Sequence, residues 1–334
     1  MQRATRTTLS CHYSSLAHYN CTPHSYSECL ARVNAFAAGL ETLNLVEPND
    51  ENMICCGLYM KNCMEWVLAE HAIFALGGTT VPFYDTLGPD TVQFILNQTR
   101  AKSVVCSRAE LSKLAKAKRS GECPRLYAAI LVDGVTPDAA KLAAAAGLEV
   151  FSYAKVEAAG AERITVRGHK HSPPDSDTIA TFCYTSGTTG DPKGALLSHG
   201  NLVATIAGIQ RAYDEFAIQM FDRHLSYLPL AHIFERLVMA QMLIAGASVA
   251  FFRGDPLLLI EDLQACRPTF MPAAPRVLNK ICDKVRSIPF FFFVGRLAIV
   301  ALNAQNEPRL YFFAYEPADY KRHSCCGWLE ENNI

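Results

Sequence analysis

The sequence of 334 residues carries almost no net charge and lacks the patterns of several specialised protein classes. Its 31 basic and 32 acidic residues leave a formal charge of −1, so no overall field favours nucleic acid or an anionic membrane. The first 24 residues contain no apolar stretch of signal-peptide length, which predicts that the protein is not secreted. The most hydrophobic run, Ile288 to Leu302, is interrupted by Arg296 and is shorter than the about twenty residues of a membrane-spanning helix. We therefore expect a cytoplasmic globular protein that does not bind nucleic acid.

The cysteines also lack a pattern of their own. Thirteen of them are spread from Cys11 to Cys326 without a C-x-x-C spacing. Zinc and redox motifs use that spacing, and secreted disulfide frameworks use an even number of cysteines. Several lie in apolar runs, as Cys55 and Cys56 do. The sequence therefore predicts free, buried thiols in a reducing compartment.

The most informative segment is Tyr184 to Gly194, with the sequence YTSGTTGDPKG, which follows the apolar run Thr178 to Cys183. Glycines let main-chain N–H groups approach an anion, hydroxyl groups add donors, and a lysine adds a positive charge. This composition indicates a phosphate-binding loop whose candidate residues are Thr185, Ser186, Gly187, Thr188, Thr189, Gly190 and Lys193. An ordinary solvated loop is the alternative interpretation of such a cluster.

A Walker-type loop does not fit the same segment. That motif requires G-x-x-x-x-G-K-[ST], and counting from Gly187 places Pro192 where the second glycine should be. A phosphate-transferring NTPase of that class is therefore disfavoured.

Strand-like and helix-like segments alternate along most of the chain. In the first half, strands are predicted at 52–59, 79–83, 103–106 and 126–132, and helices at 63–76, 90–98, 108–118 and 137–146. After a polar linker at 169–177, strands are predicted at 226–228 and 248–252, and helices at 198–212, 237–244 and 257–265. This alternation predicts an α/β fold in which parallel sheets are sandwiched by helices.

The complete string YTSGTTGDPKG resembles the phosphate-binding loop of the adenylate-forming superfamily, which includes acyl-CoA synthetases, luciferases and peptide-synthetase adenylation domains. Three more segments are similar to long-chain fatty acyl-CoA synthetases in particular, namely VPFYDTLG at 81–88, LPLAHIFER at 228–236 and the segment 254–280. The resemblance divides the chain into an unmatched extension at 1–23, a partial AMP-binding domain at 24–285 and an unmatched tail at 286–334. It implies most of the family's large N-terminal domain, without the small C-terminal domain.

The resemblance implies the activity of a long-chain-fatty-acid–CoA ligase. In that reaction ATP and Mg²⁺ convert a fatty acid to an acyl-adenylate with release of pyrophosphate, and the thiol of coenzyme A then displaces AMP. His232 matches the LPLAH histidine, which lies beside the carboxylate and α-phosphate, and with Lys193 it is the expected catalytic residue. The alternative for His232 is a residue that only starts a helix. Glu235 and Arg236 are expected to form an ion pair that fixes this helix.

Other family features are missing from the sequence. No Tyr-Gly-x-Thr-Glu motif occurs, whose glutamate helps to hold Mg²⁺ in the family, and no segment resembles the lysine-bearing C-terminal domain. The loss of such groups is expected to cost about a hundredfold or more in rate for each. The alternative function is therefore a catalytically inactive, truncated remnant that binds nucleotide or a partner chain. Because long-chain fatty acids are insoluble in water, we also expect peripheral contact with an intracellular membrane. The sequence indicates neither the metal ligands nor the oligomeric state.

Overall fold

The computed structural model describes residues 7–11, 21–83, 91–167, 174–185, 192–212, 217–273 and 311–314. The chain forms two compact units, Met1–Pro268 and Thr269–Ile334. In the part of the larger unit that is described, the strands are β1 Thr7–Cys11, β2 Cys21–Ser25, β3 Cys55–Tyr59, β4 Thr79–Pro82, β5 Ser103–Cys106, β6 Ala128–Leu131, β7 Glu149–Ser152, β8 Ile179–Thr185, β9 Lys193–Ser198, β10 Arg223–Ser226 and β11 Ser248–Phe251. The helices are α1 Tyr26–Thr42, α2 Met64–Ala75, α3 Thr91–Thr99, α4 Leu111–Arg119, α5 Pro137–Ala144, α6 Tyr153–Arg167, α7 His199–Ala212, α8 Ile233–Ala245 and α9 Leu259–Cys266.

The main sheet of the larger unit has the strand order β7-β6-β5-β3-β4-β8-β9. All of its neighbouring strands are parallel except β8 and β9, which are antiparallel. Residues 186–192 between β8 and β9 are too few for the crossover of a dozen or more residues that parallel strands need. The predicted α/β fold is therefore confirmed, with an antiparallel strand at one edge of the sheet.

Two smaller strand pairs complete the larger unit. Strands β1 and β2 pair in antiparallel fashion, and β10 and β11 pair in parallel. In the smaller unit, β12 Phe270–Ala273 and β13 Tyr311–Ala314 form a parallel pair.

The core of the larger unit lies on the central strands of the main sheet. Every residue of β3, β5 and β6 is buried, as expected for parallel strands covered by helices on both faces. Helices α3 and α4 pack against these strands through Ile95, Leu96, Leu111 and Leu114, each no more than 2% exposed. Lys113, Lys116 and Lys118 occupy the other side of α4, so this helix is amphipathic in the usual way.

Helices α1 and α6 cross in backbone contact at two glycines. A Cβ atom added to Gly160 would lie 2.9 Å from the carbonyl carbon of Ala35 and closer still to its oxygen. A Cβ atom on Gly39 would lie 2.8 Å from the carbonyl carbon of Val156. Any side chain at either position would push the helices apart.

The prediction of free, buried thiols is confirmed in part for the side chains that the structure describes, since four of those cysteines are buried and four are partly buried. Eight cysteines lie there, and all eight are free thiols. Burial raises the pKa of Cys56 to about 11 and that of Cys55 to about 12, so both stay protonated and unreactive near neutral pH. Within the described ranges, none of the helices combines the length and apolar character needed to cross a bilayer.

Several element predictions were wrong or incomplete. The strand predicted at 226–228 is β10, three residues earlier, because the backbone after Ser226 bonds to a side chain instead of a neighbouring strand. The helix predicted from residue 237 begins at Ile233, where His232 caps it. Helices α1 and α6 and strands β7 and β9 were not predicted. Residues 84–88 of the VPFYDTLG segment, residues 274–280 of the segment 254–280 and most of the tail 286–334 lie outside the described residues.

Candidate functional site

The candidate phosphate loop joins the two antiparallel strands β8 and β9. Thr185, the last residue of β8, pairs directly with Lys193, the first residue of β9, and both are exposed. Paired residues of antiparallel strands place their side chains on the same face. A hydroxyl and an ammonium group therefore lie side by side where the loop begins and ends. The other loop candidates, Ser186, Gly187, Thr188, Thr189 and Gly190, lie outside the described residues.

The strand pair next to the loop is held by a buried tyrosine. Tyr184 pairs with Gly194, and its hydroxyl donates a hydrogen bond of 2.6 Å to Oε1 of Gln98 on α3. A Cβ atom at Gly194 would lie 2.9 Å from the Tyr184 ring, so the glycine allows the ring to cross the neighbouring strand. Burial raises the pKa of Tyr184 well above the ordinary value of 10.0, and the phenol therefore remains a donor at neutral pH. These contacts fix the base of the loop.

His232 is exposed and forms the N-cap of α8. Its Nδ1 accepts a hydrogen bond of 3.2 Å from the backbone N–H of Phe234. A nitrogen that accepts carries no proton, so the neutral ring has its proton on Nε2. The structure thus shows the helix-start role that was the alternative for His232, and it sets which ring nitrogen is the donor.

The loop before His232 is held by a residue that sequence reasoning missed, Asn62. Its side-chain amide donates to the Ser226 hydroxyl at 2.9 Å and to the Leu228 carbonyl at 2.6 Å, and its oxygen accepts from Leu230 N–H at 2.9 Å. Asn62 lies in the turn after β3, at the carboxyl edge of the sheet, where polar residues of α/β proteins commonly serve a site. The position of Asn62 shortly after a predicted strand is the sequence signal that could have identified it as a site residue.

One face of β8 connects the two parts of the site. Alternation along a strand places Thr181, Cys183 and Thr185 on the same face. Arg236, in the first turn of α8, donates a hydrogen bond of 2.6 Å to the Thr181 hydroxyl, and its charge opposes the increase that burial causes in the pKa of Cys183. The N-terminus of α8, which His232 caps, therefore lies over the strand face that ends in Thr185.

The predicted ion pair between Glu235 and Arg236 is wrong. Consecutive residues of a helix point in different directions. Glu235 bonds instead to Nε2 of His224 at 2.8 Å, and both side chains are fully buried. Arg236 pairs with Glu70 of α2. The two charges thus connect α8 to different parts of the larger unit.

Comparison with known proteins identifies the family. Residues 6–318 match the family described as AMP-binding enzyme. The chain belongs to the AMP-binding enzyme family. It is 36% identical over 263 residues to the peroxisomal long chain acyl-CoA synthetase 7 of Arabidopsis thaliana, which covers 79% of this chain and 36% of that protein. The chain thus spans about a third of the length of the curated relatives it matches, and the resemblance inferred from its sequence is confirmed.

Solved structures of AMP-binding enzymes share the fold. A long-chain-fatty-acid-CoA ligase from Archaeoglobus fulgidus has a TM-score of 0.67 at 20% identity, over 93% of this chain and 60% of that one. The A domain of a carboxylic acid reductase from Segniliparus rugosus, in complex with AMP and a co-purified carboxylic acid, has a TM-score of 0.67 at 20% identity, over 88% of this chain and 49% of that one.

The residues of this AMP-binding enzyme fit the phosphates of a nucleotide better than they fit a metal. Thr185 and Lys193 supply an exposed hydroxyl and an exposed cation, which suit an anion. Within the ranges that the structure describes, no group of three or more His, Cys, Asp or Glu side chains could hold a metal ion.

Two cavities of the larger unit differ in their relation to these residues. One of about 650 Å³ lies between α1 and α6, next to Glu41, Glu162 and Arg163, and contains none of the candidate site residues. A second of about 60 Å³ is lined by Glu70 and Arg236 together with residues of α7. It has room for water beside the ion pair but not for a substrate.

Proposed function

We propose that this chain takes part in the ATP-dependent activation of a long-chain fatty acid, first to an acyl-adenylate and then to an acyl-CoA thioester. The observation that carries the proposal is the pairing of Thr185 with Lys193 at the two ends of the YTSGTTGDPKG loop. Because the chain spans about a third of its relatives, the activity and substrates of the whole protein belong to the proposal. The Arabidopsis relative is named a long chain acyl-CoA synthetase, which supports a long-chain acid as the substrate.

The proposed role of Thr185 and Lys193 is to bind the β- and γ-phosphates of ATP. Formation of an acyl-adenylate releases pyrophosphate, and negative charge accumulates on these oxygens as the bond to the α-phosphate breaks. A cation already placed at this position stabilises that charge without reorganisation. An ammonium group suits the task since it needs no fixed fork geometry. Mg²⁺ bound with ATP would supply further positive charge at these oxygens.

The proposed role of His232 is to orient the substrate carboxylate. Its Nδ1 is engaged by the helix cap, so the donor of the neutral ring is Nε2–H. A carboxylate oxygen or an α-phosphate oxygen can accept from that group. The shared strand face of β8 places the capped end of α8 near the loop flanks, which supports one site for both substrates.

A second candidate function is a chain that binds nucleotide without turnover. It is favoured by the observed contact of His232, whose Nδ1 caps α8 and so serves the helix instead of a substrate. Contact with coenzyme A and with a membrane surface belongs to the first candidate only.

The test combines ATP binding with isotope exchange. The chain is incubated with palmitate, ATP, Mg²⁺ and labelled pyrophosphate, and ATP binding is measured separately by calorimetry. Label entering ATP only when palmitate is present would establish adenylation. ATP binding without exchange would support the second candidate, and the absence of both would refute both.

Lys193→Met provides the residue-level test, with Lys155→Met as the matched control. Lys155 is an exposed lysine on α6, with its ammonium 5.3 Å from the centre of the Phe151 ring. Loss of a charge-assisted contact to phosphate should weaken ATP binding about tenfold or more. The control should bind as the unaltered chain does, and equal affinities in the two variants would remove Lys193 from the site.

A further inference from the structure

Arg236 is a buried cation that connects four elements of the larger unit. It lies in the first turns of α8 and is 7% exposed. Its Nη1 donates to the Thr181 hydroxyl of β8 at 2.6 Å, and its Nη2 donates to the Thr80 hydroxyl of β4 at 3.0 Å. Nη2 also pairs with the carboxylate of Glu70 on α2. No part of the proposed reaction uses this group directly.

The two threonines mark the place where the loop-bearing strand joins the parallel sheet. Among the described residues, Thr80 opposite Thr181 is the single paired position between β4 and β8. The register of β8 with β9 also shifts between Ile179 and Thr181. The hairpin formed by β8 and β9 thus pairs with β4 at one ladder position, next to a hydrogen bond of 2.7 Å from the Thr79 hydroxyl to the Ile179 carbonyl, and Arg236 donates to both hydroxyls of the pair.

We propose that Arg236 is a positioning residue for the nucleotide site, a role that rests on the proposed function. Arg236 is one helical turn after His232, and Thr181 is four residues before Thr185 on the same strand face. The guanidinium therefore fixes the capped end of α8 and the strand that leads to the phosphate loop in one relative position.

The distance along β8 from Thr181 to the loop determines how far a small tilt of the hairpin displaces the nucleotide site. At about 3.3 Å per residue, Thr185 lies about 13 Å along β8 from Thr181. A tilt of the hairpin by about 5° would move Thr185 by about 1 Å, and a misplacement of that size can cost about a hundredfold in rate. The hydrogen bond from Tyr184 to Gln98 restrains the opposite face of the strand, and Arg236 restrains the face that His232 shares.

Stability alone does not explain a buried arginine at this place. Burying two charges is costly, and replacement of a buried ion pair by apolar side chains of similar size is often neutral or stabilising. The hydrogens of both threonine hydroxyls have acceptors without Arg236, since Thr181 donates to the Phe182 or the Thr80 carbonyl and Thr80 donates to the Ala180 carbonyl. The guanidinium group adds a planar set of N–H donors that contacts both threonine hydroxyls and the Glu70 carboxylate at the same time.

Arg236→Lys is the first test because it keeps the charge and removes the fork. A lysine can pair with Glu70 but, as a point charge, cannot hold both threonine hydroxyls in the arginine geometry. We expect the midpoint of urea unfolding to change little, amide exchange of Cys183 and Thr185 to accelerate about tenfold or more, and ATP affinity to fall about tenfold or more. Unchanged exchange and unchanged ATP affinity would overturn the proposal.

The double variant Glu70→Leu/Arg236→Met is the second test, with Arg32→Met/Glu157→Leu as the matched control. The control pair joins α1 to α6 with an N–O distance of 2.7 Å, and the other contacts of Arg32, with Met64 and Glu65, are on α2 and not on β8. We expect the test variant to fold with near-normal stability and to show the same faster exchange in β8, whereas the control variant keeps normal exchange there.

The exchange measurement separates failure of this inference from failure of the proposed function. If the unaltered chain binds no ATP, the proposed function fails, and the amide exchange of β8 still decides whether Arg236 positions the hairpin. If the double variant does not fold, Thr181→Val removes one hydroxyl acceptor without altering charge. It should accelerate exchange at Thr185 about threefold or more, and normal exchange in that variant would refute the proposal.

Discussion

Replacing Gly160 by alanine should destabilise the larger unit, because α1 and α6 touch backbone to backbone at this position. The added Cβ atom would lie 2.9 Å from the Ala35 carbonyl carbon. Nonbonded carbons normally stand about 3.5–4.0 Å apart, so the helices must separate by about 1 Å. The atoms that the added Cβ would meet belong to the backbone and not to the movable end of a side chain, so a change of rotamer cannot remove the overlap.

The expected cost follows from what this helix crossing holds together. Phe36 and Tyr153 stack with ring centroids 4.1 Å apart, and Arg32 bonds to Glu157 at 2.7 Å across the same interface. Overpacking costs about 1–3 kcal/mol, and we expect the upper end since backbone opposes backbone. The better helix propensity of alanine offsets about 1 kcal/mol of this cost in the free energy of unfolding. The net loss should be about 2 kcal/mol in the free energy of unfolding.

Urea unfolding followed by far-UV circular dichroism measures this loss, with Gly208→Ala as the matched control. Gly208 is an exposed glycine in α7, and an added Cβ atom would meet no other atom within 4 Å. Gly160→Ala should lower the midpoint by about 0.5–1 M, whereas Gly208→Ala should raise it slightly. If the two variants have equal midpoints, the helices are not in backbone contact and the reasoning is refuted.

The remaining predictions concern the surroundings of the site. Asn62→Ala should cost about 2–3 kcal/mol of unfolding free energy, because it leaves buried partners unpaired, and should speed amide exchange at Leu230; unaltered exchange would contradict the role of Asn62. Tyr184→Phe should cost about 1 kcal/mol in urea unfolding by removing the bond to Gln98, and no change would show that this bond is not formed. His199→Asn should flatten the pH dependence of stability between about pH 7 and 5. Burial lowers the pKa of His199 in the folded protein below its ordinary 6.5. The unfolded chain therefore binds more protons at His199 than the folded chain does, and the free energy of unfolding decreases as the pH falls. If the pH dependence of the urea midpoint is the same in the variant and in the unaltered chain, this prediction is refuted.

The alternation of strands and helices could be predicted because it is encoded locally, whereas the phosphate loop stays a prediction because residues 186–191 lie outside the described part of the chain. The bounds of β5 were predicted correctly at 103–106 because the apolar run Val104 to Cys106 follows Ser103 directly. Antiparallel β9 could not be predicted from its own residues, since it is a strand only by pairing with β8.

The partners of the charged residues were decided by tertiary structure alone. Sequence proximity suggested that Glu235 and Arg236 pair, yet Arg236 pairs with Glu70, 166 positions away in the chain. Asn62 likewise holds the carbonyl of Leu228 across 166 positions. Periodicity reports only which face a residue occupies within its own element. Which distant group meets that face depends on how helices and strands pack, and no short segment contains that information.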